Sequence, residues 1–358
     1  MPRRLIVCSD GTWKTAETKS PTNVVKMARA LVPLAAGNVP QIVFYDPGVG
    51  TGTVLDRFTG GAFGRGLSDN VKDAYRFLVH NYSAGDQVFF FGFSRGAYTV
   101  RSCVGLMRKC GLLQKPHADR LEAAYQLYRK RDDTPDTPEA IQFRRQFSRE
   151  IDVDFLGVWD TVGQLGIPLA GLRWLTRQDE QFHNVGLSRR VKRAFHAIAI
   201  DEKRRPFRPT LWETTPESTQ HVEQVWFAGV HSNVGGGYDD AGLSDVAFLW
   251  MKQHAEHAGL VFDEGYIRST IRPKKCGTLY NSFTPAYWLL LTYDREIGVK
   301  NPPTESVHPD AVARQAGCGQ PYSASNLTVY LATTEYQVAK LPDGGGGQGR
   351  EAGDWGNT

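Results

Sequence analysis

Val88-Phe89-Phe90-Phe91-Gly92-Phe93-Ser94-Arg95-Gly96-Ala97 is the stretch from which the rest of the chain can be read. Residues 87–91 are aromatic and apolar on both faces, as a strand in the middle of a parallel sheet requires. Residues 97–109 carry apolar side chains at helical spacing. Between the two lies Gly-x-Ser-x-Gly. The pattern alone is weak evidence, but between a buried strand and a helix it describes a tight, strained turn that presents the serine hydroxyl above the sheet. Gly92 and Gly96 remove side chains that would strike the neighbouring strand and helix. The helix start directs N–H groups and positive partial charge at an oxyanion developing beside Ser94. The N–H of Arg95, next in sequence, is one expected donor. The plain alternative is a turn whose serine only caps the helix.

Strand and helix patterns alternate on both sides of this stretch. Short apolar or β-rich runs at 5–8, 41–45, 153–158, 194–200 and 224–230 read as strands. Periodic segments at 21–34, 71–82, 118–131, 138–150 and 243–257 read as helices, with 71–82 following a glycine-rich loop, Gly60 to Gly66, expected to be mobile beside the site. Alternation of this kind implies a mostly parallel sheet with helices on both faces, and with the serine turn it implies an α/β-hydrolase fold. Residues 1–343 are expected to form one domain, with helical cap-like insertions within 111–150 and 164–193, where Leu172, Trp174 and Leu175 are candidates to line an acyl site. Residues 265–325 show no strong period, 327–331 read as a late strand, and 344–358 as a disordered glycine-rich tail.

A serine needs a general base. Of nine histidines, His231 follows an apolar strand directly and opens the glycine-rich loop Ser232-Asn233-Val234-Gly235-Gly236-Gly237-Tyr238. His196 lies within a strand and reads as a core residue, and His254 and His257 read as surface residues. For the acid, the order serine, aspartate, histidine admits two residues, Asp160 after the strand 153–158 and Asp201 after the strand 194–200. Spacing leaves them even. Counting strands back from 87–91 makes 5–8 the strand whose following loop gives the second oxyanion donor in this fold. That loop is Asp10-Gly11-Thr12, so Gly11 or Thr12 is the expected donor; an Asx-type turn capped by Asp10 is the alternative.

Several classes are excluded or discounted. The 42 basic and 38 acidic residues are dispersed rather than gathered into a basic groove, which argues against nucleic-acid binding. No apolar run reaches the length of a membrane span, residues 286–291 included, and no signal peptide is evident, so a cytoplasmic location is expected, with export by a signal-less route also compatible. Five cysteines without a CxxC spacing read as free thiols. The Gly60–Gly66 stretch matches no nucleotide-loop pattern. Asp239, Asp240 and Asp245 read as a solvated helix start rather than a cation site. No cofactor or metal is required, and oligomeric state is not legible.

Six motifs occur together: Cys8-Ser9-Asp10-Gly11-Thr12-Trp13; Tyr45-Asp46-Pro47-Gly48-Val49-Gly50; Gly92-Phe93-Ser94-Arg95-Gly96-Ala97; Trp159-Asp160-Thr161-Val162; Asp201-Glu202-Lys203-Arg204 with Phe207-Arg208-Pro209; and Val230-His231-Ser232-Asn233-Val234-Gly235-Gly236-Gly237-Tyr238. In this order they resemble the DUF2235 family, the catalytic domain of Tle1-type phospholipase effectors of type VI secretion, over residues 3–260. The resemblance implies a Ser–Asp–His triad of Ser94, Asp160 and His231, and so prefers Asp160 to Asp201. It implies hydrolysis of phospholipid esters, with peripheral contact at a membrane surface. Asn233 replaces the family's acidic residue in the histidine loop, at a position outside the triad. The effectors' added membrane-binding region has no expected place within 358 residues. The expectation is therefore carboxylic-ester hydrolysis, by a phospholipase A-type lipid esterase or a non-lipid esterase; the alternative is an idle ligand-binding homologue.

Overall fold

Strands placed side by side in register bring their C-terminal ends to one edge, and that edge carries the candidate site. The computed structural model describes residues 2–11, 19–48, 60–130, 134–162, 186–213, 216–217, 219–283, 292–318 and 321–341, with side chains of 60–65 excepted. The expected donor Thr12, residues 164–185 of the expected cap with Leu172, Trp174 and Leu175, the run 286–291 and the tail 344–358 lie outside the described residues.

The strands are β1 (Arg4–Ser9), β2 (Leu34–Ala35), β3 (Val39–Asp46), β4 (Gln87–Phe93), β5 (Leu112–Leu113), β6 (Ser148–Arg149), β7 (Phe155–Trp159), β8 (Arg193–Ala199), β9 (His221–Phe227) and β10 (Glu305–Val307). Eight form one sheet in the order β10-β9-β8-β7-β4-β1-β3-β2, and β5 and β6 pair separately. Every pairing in the large sheet is parallel except β2 with β3. β1 lies beside the strand that carries the serine turn, as the strand count required. Cys8 is level with Phe91, Phe93 with Trp159, and Trp159 with Ala197.

The helices are α1 (Asn23–Ala30), α2 (Gly60–Asn81), α3 (Arg95–Cys110), α4 (Leu121–Tyr128), α5 (Pro138–Phe147), α6 (His231–Gly235), α7 (Gly242–His257), α8 (Glu264–Thr270), α9 (Pro309–Ala316) and α10 (Ser325–Leu331). Alternate side chains of the central strands serve opposite cores. Leu5, Val7, Val88 and Phe90 pack with α2, α3 and α4, whereas Ile6, Cys8, Phe89 and Phe91 pack with α1 and α7. The fold is an α/β-hydrolase-type parallel sheet covered on both faces.

Three expectations change. The glycine-rich stretch from Gly60 is not a loop; it is the first part of α2. Residues 327–331, β-branched enough to read as a strand, are the end of α10. Leu327 and Tyr330 are buried three residues apart while Val329 is 69% exposed, so packing selects a helical face over local propensity. Residues 112–149 connect α3 to β7 and include α4, whose Leu121, Ala124 and Leu127 pack into the core beside α3. The free-thiol reading holds for Cys8, Cys103 and Cys110, but Cys276 and Cys318, with Cα atoms 5.5 Å apart, form a disulfide. Its partners both lie beyond residue 260, where no periodicity signalled their approach.

Closing a loop of 42 residues restricts the unfolded chain by about 4 kcal/mol in a chain-entropy treatment. Thiol titration in denaturant is expected to find three reactive groups before reduction and five after. Five before reduction would contradict the pairing.

Candidate active site

Ser94 is the junction of β4 and α3, with φ 58° and ψ −119°. A non-glycine residue with positive φ is strained, and it persists only where its surroundings over-determine it. Two close approaches do so here. A Cβ on Gly96 would lie 2.0 Å from the Ser9 carbonyl oxygen, and one on Gly92 would lie 2.6 Å from the Gly96 carbonyl oxygen. The α3 backbone can therefore press against the end of β1 and its own strand only with hydrogen at both positions. The Ser94 N–H donates to the Trp159 carbonyl at 3.1 Å, which ties the turn to the neighbouring strand.

His231 begins α6, immediately after the segment that follows β9. Its Nε2 is 2.9 Å from Ser94 Oγ and its Nδ1 2.5 Å from Asp160 Oδ2. An ionised carboxylate only accepts, so Nδ1 carries the proton and Nε2 accepts from the serine hydroxyl. The ring lies between Phe93 and Phe207, at centroid distances of 4.6 and 4.9 Å. Gly235 lets the loop fold down, since a Cβ there would sit 1.9 Å from the Phe93 ring. From below, Glu202 accepts the His231 N–H at 3.3 Å and the Ser282 hydroxyl at 3.0 Å while holding Arg204 in a two-point ion pair.

Asp160 follows β7 with a positive φ of 38° and is fully buried. Its Oδ1 accepts the Ala199 N–H at 3.0 Å. Arg295, 1% exposed, meets both oxygens, Nη1 to Oδ1 at 2.6 Å and Nη2 to Oδ2 at 3.1 Å. The guanidinium is itself anchored on the carbonyls of Ala199 and Phe207. Burial pushes the Asp160 carboxyl up, but the Arg295 charge and the hydrogen bond and charge of His231 outweigh it and hold it well below the usual carboxylate range. Sequence reasoning missed Arg295. It lies in the aperiodic region, between Asp294 and Glu296, where a charged triple reads as solvated surface.

Ser94, His231 and Asp160 thus come together, while the other expected site residues fall as follows. Asp201 turns away from His231. Its Oδ2 accepts the Gly229 N–H at 2.6 Å and the Tyr322 hydroxyl at 2.9 Å, making it a loop-capping carboxylate. Arg95 opens α3, which puts its N–H at the helix start beside Ser94. The loop after β1 does pass close, since a Cβ on Gly11 would lie 3.3 Å from Ser94 Cβ. The Gly11 N–H, however, donates to Asp10 Oδ1 at 2.7 Å. Asp10 therefore engages one of the two N–H groups that the strand count offered to an oxyanion, through a bond to the next residue rather than the bond two residues on of an Asx-turn. Asp10 also accepts from Thr22 and Tyr45. Burial, offset in part by these bonds, pushes its carboxyl up to about 6. His196 is fully buried and accepts the Thr161 N–H at 3.1 Å, and burial pushes it down to about 3. The acidic residues near α7 are partnered: Asp245 with buried Lys26 at 2.6 Å, Asp240 with Thr278 and Gly242, and Asp239 with Ser20. Asn233 bridges Thr278 and Tyr280, a structural role in the loop.

The profile of one family, described as type VI secretion, phospholipase effector Tle1-like, catalytic domain, matches residues 3–254, the segment from β1 to within α7. The chain belongs to the Tle1-like family. A curated relative, the uncharacterized protein YEL023C of Saccharomyces cerevisiae, is 28% identical over 237 residues, covering 60% of this chain and 33% of its own. This chain thus matches about a third of that relative's length. Among solved structures, an uncharacterized protein from Pseudomonas aeruginosa is similar with a TM-score of 0.49 and 16% identity, over 77% of this chain and 49% of that one. The Tle1 effector bound to the VgrG spike of the type 6 secretion system is similar with a TM-score of 0.38 and 19% identity, over 67% and 52%. Within the family match, Ser94, Asp160 and His231 are included and Arg295 lies outside.

Removing Arg295 leaves a buried carboxylate with one cation fewer. Arg295→Met is expected to cost about 3–5 kcal/mol at neutral pH. Asp160 holds its proton more weakly folded than unfolded, so its contribution is present above the unfolded value of about 3.9 and is lost as pH falls toward the folded one. In the variant the carboxyl takes up a proton at higher pH, which relieves its isolation. Urea unfolding should therefore find the stability gap between parent and variant smaller at pH 4.5 than at pH 7.

Proposed function

We propose that this chain hydrolyses carboxylic esters through an acyl-serine intermediate, with a lipid ester as its substrate. The observation that carries the reading is the unbroken hydrogen-bonded path from Ser94 Oγ through both ring nitrogens of His231 to Asp160, with steps of 2.9 and 2.5 Å. In the proposed sequence Ser94 Oγ attacks the ester carbonyl as Nε2 takes its proton. The new C–O bond places negative charge on the carbonyl oxygen, facing the start of α3 and the Arg95 N–H. His231 returns the proton to the leaving alcohol oxygen as the ester bond breaks. Water then attacks the acyl-serine with His231 again as base, releasing the carboxylic acid and restoring the hydroxyl. Asp160 keeps the useful tautomer and offsets the charge on His231 in both halves.

The lipid ester rests on the family, whose description names phospholipase effectors. Peripheral contact with a lipid surface goes with that proposal. No helix among the described residues is long and apolar enough to cross a membrane.

Ser94→Ala is expected to abolish ester turnover and labelling by a fluorophosphonate with the fold intact by circular dichroism. Asp160→Asn should lower kcat by about 10³- to 10⁴-fold, because the amide favours the wrong tautomer. Unchanged turnover in Ser94→Ala would refute the mechanism. Fatty-acid release from phospholipid vesicles, measured beside nitrophenyl esters of increasing chain length, tests the substrate. Turnover confined to the shortest nitrophenyl esters would remove the lipid assignment and leave the mechanism standing.

A further inference from the structure

Arg101 and Arg108 stand seven residues apart on α3 and so share one face of it. They line a small cleft of about 40 Å³, open to solvent, together with Ser102, Thr161, Ser188 and Trp212. The cleft lies on the sheet face covered by α2 and α3, and Thr161 directly follows Asp160 in the chain. None of its described lining residues is acidic.

Arg101 is the unexplained group. Its Nη1 donates to the Thr210 carbonyl, and its guanidinium lies over the Trp212 ring, 5.0 Å from the centroid. Its Nη2 is buried and has no hydrogen-bond partner among the described residues, and the same is true of the Thr161 hydroxyl. No aspartate or glutamate among the described residues forms an ion pair with it. His196, which also packs on Trp212, is kept neutral by burial and adds no counter-charge. The side chain as a whole is only part-buried, but a buried donor left unpaired is costly. Burial alone, offset slightly by Tyr98, pulls the Arg101 guanidinium down to about 10. Arginine is suited to oxyanions because its N–H groups are fixed in a plane.

We propose that this cleft binds a phosphate or carboxylate oxyanion, held by the part-exposed Arg101 guanidinium, with Arg108 supplying a second positive charge. The site stands independently of the esterase reading, because binding needs neither Ser94 nor His231.

The test uses the full chain and inorganic phosphate, titrated against chloride at constant ionic strength and followed by calorimetry and thermal unfolding. Phosphate is expected to bind and to raise Tm. Arg101→Met should weaken phosphate binding by about tenfold or more and remove the phosphate-dependent rise in Tm. Arg101→Lys, keeping the charge, should retain part of the response. A short-chain phosphatidic acid below its micelle concentration, compared with the matching diacylglycerol, separates the sources. Tighter binding of the phosphatidic acid than of both inorganic phosphate and the diacylglycerol assigns a lipid headgroup; equal binding to inorganic phosphate assigns a free oxyanion. Absence of any response in the parent up to about 20 mM phosphate, or an undiminished response in Arg101→Met, overturns the proposal. Should Arg101→Met fail to fold, Arg101→Lys and the parent titration decide in its place. Fluorophosphonate labelling of Ser94 in the same samples reports separately on the esterase reading.

Discussion

The rest of the structure depends on how closely α3 approaches the end of β1. With a hypothetical Gly96 Cβ only 2.0 Å from the Ser9 carbonyl oxygen, the helix start sits where no side chain is tolerated. The connection from β4 has a single residue in which to turn, and that residue takes φ 58°. The strain is offset by the packing of two aromatic and aliphatic cores on either face of the sheet, which hold β1 and β4 in register. The outcome is a hydroxyl at the sheet edge and a helix start beneath it, on a rigid strand rather than a loop. Rigid support matters because a proton transfer over 2.9 Å tolerates little misplacement.

A second constraint is electrostatic. Asp160 has no solvent exposure, and a bare carboxylate there would simply take up a proton. Arg295 prevents this by meeting both oxygens from a segment far along the chain, and the carbonyls of Ala199 and Phe207 fix the guanidinium in turn. The imidazole then faces a carboxylate held ionised by a partner other than itself. Arg101 presents the opposite case on the neighbouring face, a cation with no acid beside it among the described residues. The two arginines differ in one respect that explains their roles: one carries its counter-ion within the fold, and the other leaves it to be supplied.

Much of the site was legible because it is built from local signals. A doubly apolar strand, a Gly-x-Ser-x-Gly turn and a periodic helix are contiguous, and His231 directly follows another apolar strand in a glycine-rich loop. Each of these depends on backbone geometry over a few residues, which composition and period record faithfully. Local signals also misled. The β-branched residues of 325–331 favour a strand in isolation, yet the segment is a helix because burial of Leu327 and Tyr330 three residues apart outweighs that preference.

What the sequence by itself determined is the alternating parallel sheet, the strained serine turn and the histidine loop, since each is written in neighbouring residues. What only the tertiary structure decided is which groups meet across long separations. Spacing left Asp160 and Asp201 even, and family resemblance favoured the first. In the fold Asp160 meets His231, whereas Asp201 meets Gly229 and Tyr322. Arg295, the Cys276–Cys318 bond and the engagement of the Gly11 N–H by Asp10 were likewise undecided, as charge pairing and hydrogen bonding depend on distance in space, which no local pattern encodes.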